Sequence, residues 1–375
     1  MKLIIGADMV PTKENIDAFI VGNREKLCGP NLLKLIDDTK YFVCNLEVPL
    51  CDNGEPIKKC GPNLCAPEAA INGYEALGVN LVTLANNHIM DQGDKGLKST
   101  EQLLENAKIN YVGAGDNLEK AMAPHIVELD NSRIGFYACA EHEFSIATSN
   151  QAGANPFDEL ESLDHISDLR EKCDYLIVLF HGGKEHYQYP SPRIKKTCQK
   201  MASKGADLIL VQHTHCIGCY ETFEGSTIVY GQGNFLFGRR KIETWQSSLL
   251  ICVDDEYHVS FVPLVISEDG SYVEIAEAEK NIEILEAFQQ RSAKIQSEEF
   301  IYRNYEKYAR DSIKNYLHAV SGKETWAFRL ANKLMNGTLR ARKYDNDNLY
   351  QIINYIDCES HRELFLAGIK ELLSK

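Results

Sequence analysis

Short apolar runs alternate with helix-like segments along the first 280 residues, and this alternation limits the chain to a small set of folds. Residues 2–7, 41–46 and 79–84 read as strands, with helix candidates at 67–77 and 95–107. Residues 175–180 and 207–211 read as later strands, with a helix over 193–204 between them. Such a pattern predicts an α/β domain whose sheets are covered by helices. From residue 226 to 275 the pattern changes. The runs 227–230, 248–253 and 258–265 follow one another with no helix between them, which predicts antiparallel pairing and hence a mixed sheet. After about residue 280 the strand signals stop. Tyr305, Ala309, Ile313, Tyr316 and Val320 recur at helical spacing, and Ser360 with Glu363 forms a capping-box pattern before Leu364, Phe365, Ile369 and Leu372. The expected organisation is one α/β domain over residues 1–280 and a helical extension over residues 281–375.

Composition narrows the functional classes. The 375 residues are 44 % hydrophobic and 25 % charged, ordinary for a globular protein. That excludes a disordered chain, a collagen-like chain and a coiled-coil rod. The net charge is −14, and residues 281–375 carry 15 basic and 13 acidic side chains, so the acidic excess lies in residues 1–280. An acidic body repels phosphate backbones, so no nucleic-acid partner is expected, although a bound cation inverts that logic locally. No apolar run approaches the ~18 residues that cross a bilayer. The apolar opening turns polar at Asp8, shorter than a signal peptide. The expectation is a cytoplasmic protein with no membrane span. Its 12 cysteines are then expected to be reduced thiols. Cys44, Cys139 and Cys252 sit in strand-like runs, and Cys60 and Cys65 in a Gly/Pro-rich loop read as free thiols. Cys216 and Cys219 have CxxC spacing without further thiol partners and read as core or loop residues. Gly113 and Gly115 open a dinucleotide-like pattern that fails at Leu118, where its third glycine belongs.

Ligands of α/β sheets gather at the carboxyl ends of the strands. Here those ends are Gly6-Ala7-Asp8, Asn45-Leu46-Glu47, Asn86-Asn87-His88, His181-Gly182-Gly183 and His213-Thr214-His215. Together they bring two carboxylates, three amides and four imidazoles. Imidazole and carboxylate ligands together suit zinc, manganese or iron. A lone histidine beside a strand is usually structural, but five decorated strand ends in one chain are hard to reach by chance. If the segment is extended, His213 and His215 point to the same side and serve one cluster.

This ordered set, continued by His181-Gly182-Gly183-Lys184-Glu185 and Gly205-Ala206-Asp207 before His213, resembles the CapA family, associated with bacterial capsule and poly-γ-glutamate synthesis. That family is similar to calcineurin-like metallophosphoesterases. Tyr230-Gly231-Gln232-Gly233-Asn234-Phe235 resembles the family's late Gly-Asn-Phe motif, and the likeness covers roughly residues 2–270. The resemblance implies a four-layer αββα sandwich with mixed sheets and two divalent metal ions. It implies Asp8, Glu47 and His215 on one ion, and Glu47, Asn87, His181 and His213 on the other. His88 matches the histidine that assists the leaving group; the spacing of Asp91, three residues on, lets it orient that ring or cap the loop. Asn86, Lys184, Glu185 and Asn234 are the candidate substrate contacts, with a solvated loop the alternative for Lys184 and Glu185. Two positions depart from the broader phosphoesterases: Val10 stands where they carry a histidine, and Glu47 where they usually carry an aspartate.

The expected function is metal-dependent hydrolysis, phosphoester hydrolysis first, in the making of an anionic surface polymer. Two cations would activate water, and His88 would donate a proton to the departing oxygen. One alternative is a non-catalytic component of a polymer-synthesis complex. Another is a metal-dependent amide or peptide hydrolase, since a two-metal clamp also serves aminopeptidases. The expected partner is an anionic small molecule or polymer. The C-terminal helices are expected to mediate a homo-oligomer or a synthesis complex, with Trp326 and Phe328 as apolar anchors beside a basic stretch.

Overall fold

The apolar runs become strands because both of their faces are buried. The computed structural model describes residues 2–238, 242–320 and 325–344, with isolated positions beyond. One sheet starts with β1 (Leu3–Met9), β2 (Tyr41–Leu46), β3 (Leu81–Thr83) and β4 (Asn110–Val112), side by side and parallel. A short ribbon strand, β5 (Ala114–Gly115), leads to the hairpin of β6 (His125–Leu129) and β7 (Ser132–Ala140). After β8 (Gly153–Ala154), which pairs back to β5, come β9 (Tyr175–His181), β10 (Leu208–Gln212), β11 (Tyr220–Phe223) and β12 (Ser226–Tyr230). These build a second sheet in the order β11-β12-β10-β9-β7-β6. The chain then returns to the first sheet as β13 (Asn234–Leu236), β14 (Ser247–Val253), β15 (Val259–Ile266) and β16 (Val273–Ile275). That sheet runs β16-β15-β14-β1-β2-β3-β4, with β13 beside the end of β1.

Side-chain alternation sets the layers. Leu3 and Ile5 of β1 share one cluster with Ile177 and Leu179 of β9 and Leu208 and Leu210 of β10, so the two sheets pack face to face. Ile4, Phe42 and Val82 point the other way, onto Phe19, Leu32, Leu97 and Leu104 of the helices covering the first sheet. Leu176, Val178 and Ile209 point out from the second sheet onto Ile166, Leu169, Cys198 and Met201. The result is the four-layer αββα sandwich with two mixed sheets.

One sequence expectation needs correcting. Of the three late runs, only β14 and β15 pair antiparallel. The run 227–230 forms β12, which lies in the other sheet, parallel to β10 and antiparallel to β11. Gly231 and Gly233, at φ +115° and +80°, carry the chain from one sheet to the other. A Cβ on Gly231 would lie 2.6 Å from Thr214 Oγ1, so the crossing admits only glycine there. The β6–β7 hairpin was also missed; its turn residues Asp130 and Asn131 have φ of 53° and 63°, as a two-residue hairpin turn requires.

The chain divides into compact units Met1–Tyr305 and Glu306–Lys375 rather than at residue 280. The helix Ala278–Lys294 belongs to the first unit because Ile284 and Phe288 fill the inter-sheet core, and Ile295 and Ile301 fill the outer layer. In the second unit the helix Glu298–Val320 runs to its end, and Trp326–Leu334 and Thr338–Lys343 follow. Thr325 Oγ1 caps the helix Trp326–Leu334 by accepting from Phe328 N at 3.2 Å. Ser360, Glu363, Leu364, Phe365 and Leu372 lie outside the described residues. Among the described residues no helix is long and apolar enough to cross a membrane.

Candidate metal centre

Parallel strands end on one edge of each sheet, and the two edges meet. Asp8 ends β1 and Glu47 follows β2, both fully buried. Asn86, Asn87 and His88 follow β3, His181 closes β9, and His213 and His215 follow β10. β13 enters beside β1 with Asn234 opposite Asp8. The structure thus brings the six candidate ligands into one cluster.

The distances are short. His181 Nε2 lies 3.0 Å from Asn87 Oδ1, 3.1 Å from His213 Nδ1 and 3.4 Å from Glu47 Oε1. His215 Nδ1 lies 3.2 Å from Asp8 Oδ2 and 2.8 Å from Asn234 Oδ1. Ligand atoms of Glu47, His213 and His215 all fall within 4.8 Å of one another. Both oxygens of Glu47 are buried without a hydrogen-bond partner, and Asp8 Oδ2 makes no hydrogen bond of good geometry. Buried carboxylate oxygens are costly unless something partners them. Lone pairs from carboxylates, imidazoles and an amide converging on one volume have the donor chemistry of a divalent-cation site.

His213 and His215 converge by a route the sequence argument did not use. The segment is not extended: the two residues have φ of 87° and 52°. Left-handed backbone on a non-glycine residue costs on the order of 1–3 kcal/mol. Two such residues in three positions aim both rings at the cluster, with ring centroids 5.8 Å apart.

The electrostatics divide the cluster. Burial holds the His181 imidazole at about 4, and burial together with the neighbouring His181 and His215 rings holds His213 well below the ordinary value. Both rings are therefore neutral lone-pair donors at pH 7. Burial would also lower His215, but Glu47 and Asp8 outweigh it and raise the ring to about 9. Burial would raise Asp8, but the His215 and His181 imidazoles and the Asn45 amide bring it to about 2. Burial and the Asp8 charge push Glu47 well above the carboxylate range. Without a cation, these surroundings favour the protonated forms of Glu47 and His215.

The other candidates separate by what they touch. Asp91 Oδ2 lies 2.6 Å from His88 Nδ1 and holds that ring. Asn86 was expected to contact substrate. It is fully buried, and its amide spans Asn45 Oδ1, Leu46 O and the His88 N–H, so it is scaffold. Asn234 is likewise buried, against His215. Lys184 is exposed and Glu185 half-buried. Burial would raise Glu185, but the His213 and His215 imidazoles draw its carboxyl below the ordinary range.

Several neighbours escaped the sequence reading. Asn45 donates to Asp8 Oδ1 at 2.8 Å and lies 3.4 Å from His181 Nδ1. Glu143 accepts from Asn87 Nδ2 at 3.3 Å, which turns Asn87 Oδ1 toward His181. Trp245 and Phe237 wall His215, with ring centroids at 4.8 and 5.3 Å. Only Asn45 carried a signal, since it shares a strand end with Glu47. Val10 is buried in the first sheet's helix-side core and offers no donor. Cys216 and Cys219 are buried free thiols whose burial raises them, as core cysteines.

Residues 23–239 match the family described as "Bacterial capsule synthesis protein PGA_cap". The chain belongs to that family. A PGA_cap relative, the capsule biosynthesis protein CapA of Bacillus anthracis, is 28 % identical over 263 residues, covering 66 % of this chain and 63 % of that protein. The PGA biosynthesis protein CapA of Bacillus subtilis (strain 168) is 29 % identical over 187 residues, covering 49 % and 48 %. This PGA_cap chain therefore spans less than two thirds of the length of either relative. A solved structure described as a novel phosphatase of Mycoplasma pneumoniae aligns with 73 % of this chain and 90 % of its own, at 17 % identity and a TM-score of 0.39.

Proposed function

We propose that this PGA_cap protein is a dinuclear metal-dependent hydrolase, acting on a phosphoester in capsule or poly-γ-glutamate synthesis. The observation that carries the reading is Glu47. Its two oxygens are buried, unpartnered and flanked by His181 and by the Asp8–His215 pair. Asp8, Glu47 and His215 would hold one divalent ion, and Glu47, Asn87, His181 and His213 the other. Bound cations there would supply Lewis acidity and an activated water. The chain's own contribution is geometric. Asn45 fixes Asp8, Glu143 orients the Asn87 amide, and the two left-handed histidines aim their rings. His88, oriented through Nδ1 by Asp91, would present Nε2 to the departing oxygen as proton donor.

Val10 favours a second reading, a non-catalytic member of a synthesis complex, because the Asp8 side has one donor fewer than phosphoesterases of this type. Elemental analysis of the purified protein, coupled to a screen of phosphomonoesters, phosphodiesters and peptides with added Mn²⁺, separates the two. About two ions per chain and turnover of a phosphoester support the hydrolase. Fewer than two ions per chain, with no turnover across the screen, support the scaffold.

A further inference from the structure

The segment following β2, residues 51–65, is strapped onto the loop that carries His88. Glu55 N donates to Gln92 O at 3.1 Å and Ile57 N to Asp91 O at 3.1 Å. Gln92 Nε2 donates to Leu64 O at 2.9 Å, and Leu64 N to Asp91 Oδ2 at 2.6 Å. Inside the strap lies Lys59. Its side chain is 3 % exposed, although lysines are almost never fully buried without a partner. Its ammonium pairs with Asp91 Oδ1 and lies 3.3 Å from His88 Nδ1 and 3.5 Å from Asn87 O.

The Asp91 carboxylate is therefore divided. Oδ1 takes the Lys59 ammonium, and Oδ2 takes the Leu64 N–H and His88 Nδ1. With both ends engaged the carboxyl plane cannot turn. Oδ2 must face Nδ1, so Nδ1 keeps its proton in the neutral and the charged ring alike, and Nε2 faces substrate as the atom that carries the second, transferable proton of the imidazolium. A buried ion pair is weak evidence for stability, because removing two charges from water offsets most of their attraction. Its better-attested use is to fix one geometry.

We propose that Lys59 is a positioning residue: through Asp91 it fixes the tautomer and orientation of His88, and so governs proton delivery to the leaving group. This rests on the hydrolytic reading for its catalytic consequence, but not for the tautomer. The kinetic tests use the full chain with Mn²⁺, and the NMR uses the full chain with diamagnetic Zn²⁺. In Lys59→Met, bound metal should be unchanged, because Lys59 touches none of the six ligand side chains. On an alkyl phosphate, whose leaving group needs a proton, kcat should fall about 10–100-fold with KM little changed, a share of the 10²–10⁴-fold that general acids supply. On p-nitrophenyl phosphate, whose leaving group departs without help, the fall should be smaller. Lys59→Arg should recover part of the loss.

Imidazole ¹⁵N NMR, with the His88 signal identified by its absence in His88→Gln, reads the same link without turnover. The wild type should show the Nδ1–H tautomer and Lys59→Met a mixture; Lys59→Arg should retain the wild-type pattern and covers the case in which Lys59→Met does not fold. Equal losses on both substrates, or an unchanged His88 tautomer in Lys59→Met, overturns the proposal. Absence of turnover in the wild type overturns the hydrolase reading instead, and the NMR comparison still decides the role of Lys59.

Discussion

Replacing Glu47 by glutamine separates a metal bridge from a structural carboxylate. In the metal-free protein, burial and the Asp8 charge push Glu47 well above the ordinary carboxylate range, toward its neutral form. Glutamine is then nearly isosteric and equally neutral, so the metal-free variant should melt close to the metal-free wild type. The metal response should differ. A cation at 100 times its dissociation constant stabilises a protein by about 2.7 kcal/mol. For a cooperative unit the size of Met1–Tyr305, that is a rise in Tm of about 4 °C. Thermal denaturation against added Mn²⁺ should show that rise in the wild type and little of it in Glu47→Gln. Calorimetric titration in buffers of different ionisation enthalpy should show protons leaving Glu47 and His215 as metal binds at pH 7, with about one fewer in the variant. A variant that is several kcal/mol less stable without metal, yet keeps the full metal response, would refute the reasoning.

Other substitutions test separate links. His213→Ala should lower bound metal, whereas His88→Ala should keep it and slow turnover by on the order of 10²–10⁴; elemental analysis beside kinetics reads both, and equal metal loss contradicts the roles. Phe288→Ala should cost about 3–5 kcal/mol in urea denaturation, because the helix Ala278–Lys294 belongs to the core; a loss under 1 kcal/mol would make that helix an appendage. Glu101, pushed up to about 7 by burial and by Asp116 and Glu105, binds its proton more tightly folded than unfolded. Its contribution to stability is full below about 4.5 and is lost as pH rises toward 7. Glu101→Gln should therefore raise the urea midpoint at pH 8 and leave it unchanged at pH 4; an equal gain at both would show that the carboxyl does not titrate as argued.

The sequence made the fold legible where burial is two-sided. Tyr41–Leu46 and Tyr175–His181 read as uninterrupted apolar runs because sheet packs on one face and helix on the other. Polar residues at the ends of such runs are conspicuous, and they supplied the pool from which the family resemblance implied the six candidate ligands. Other features were hidden because they depend on contacts between distant segments. Lys59 sits in a Gly/Pro-rich loop with no apolar pattern, and docking against Asp91 buries its side chain. Glu143 lies 56 residues from Asn87 in a stretch with no periodic pattern. The left-handed backbone at His213 and His215 reverses the geometric argument for their pairing while keeping its result. The run 227–230 looked like a partner of 248–253, and the pair of glycines at 231 and 233 that separates them carries no hydrophobic signal.

The central claim is that the strand-end cluster holds divalent cations through a shared Glu47. Anomalous diffraction at the manganese edge, from crystals grown with Mn²⁺, tests it most directly. The account predicts two peaks on either side of Glu47, one bounded by Asp8 and His215 and the other by Asn87, His181 and His213. First-row metal–ligand bonds are about 2.0–2.3 Å, so each peak should lie within that reach of its donors. Crystals in which manganese binds elsewhere, and Glu47 instead hydrogen-bonds within the protein, would contradict it.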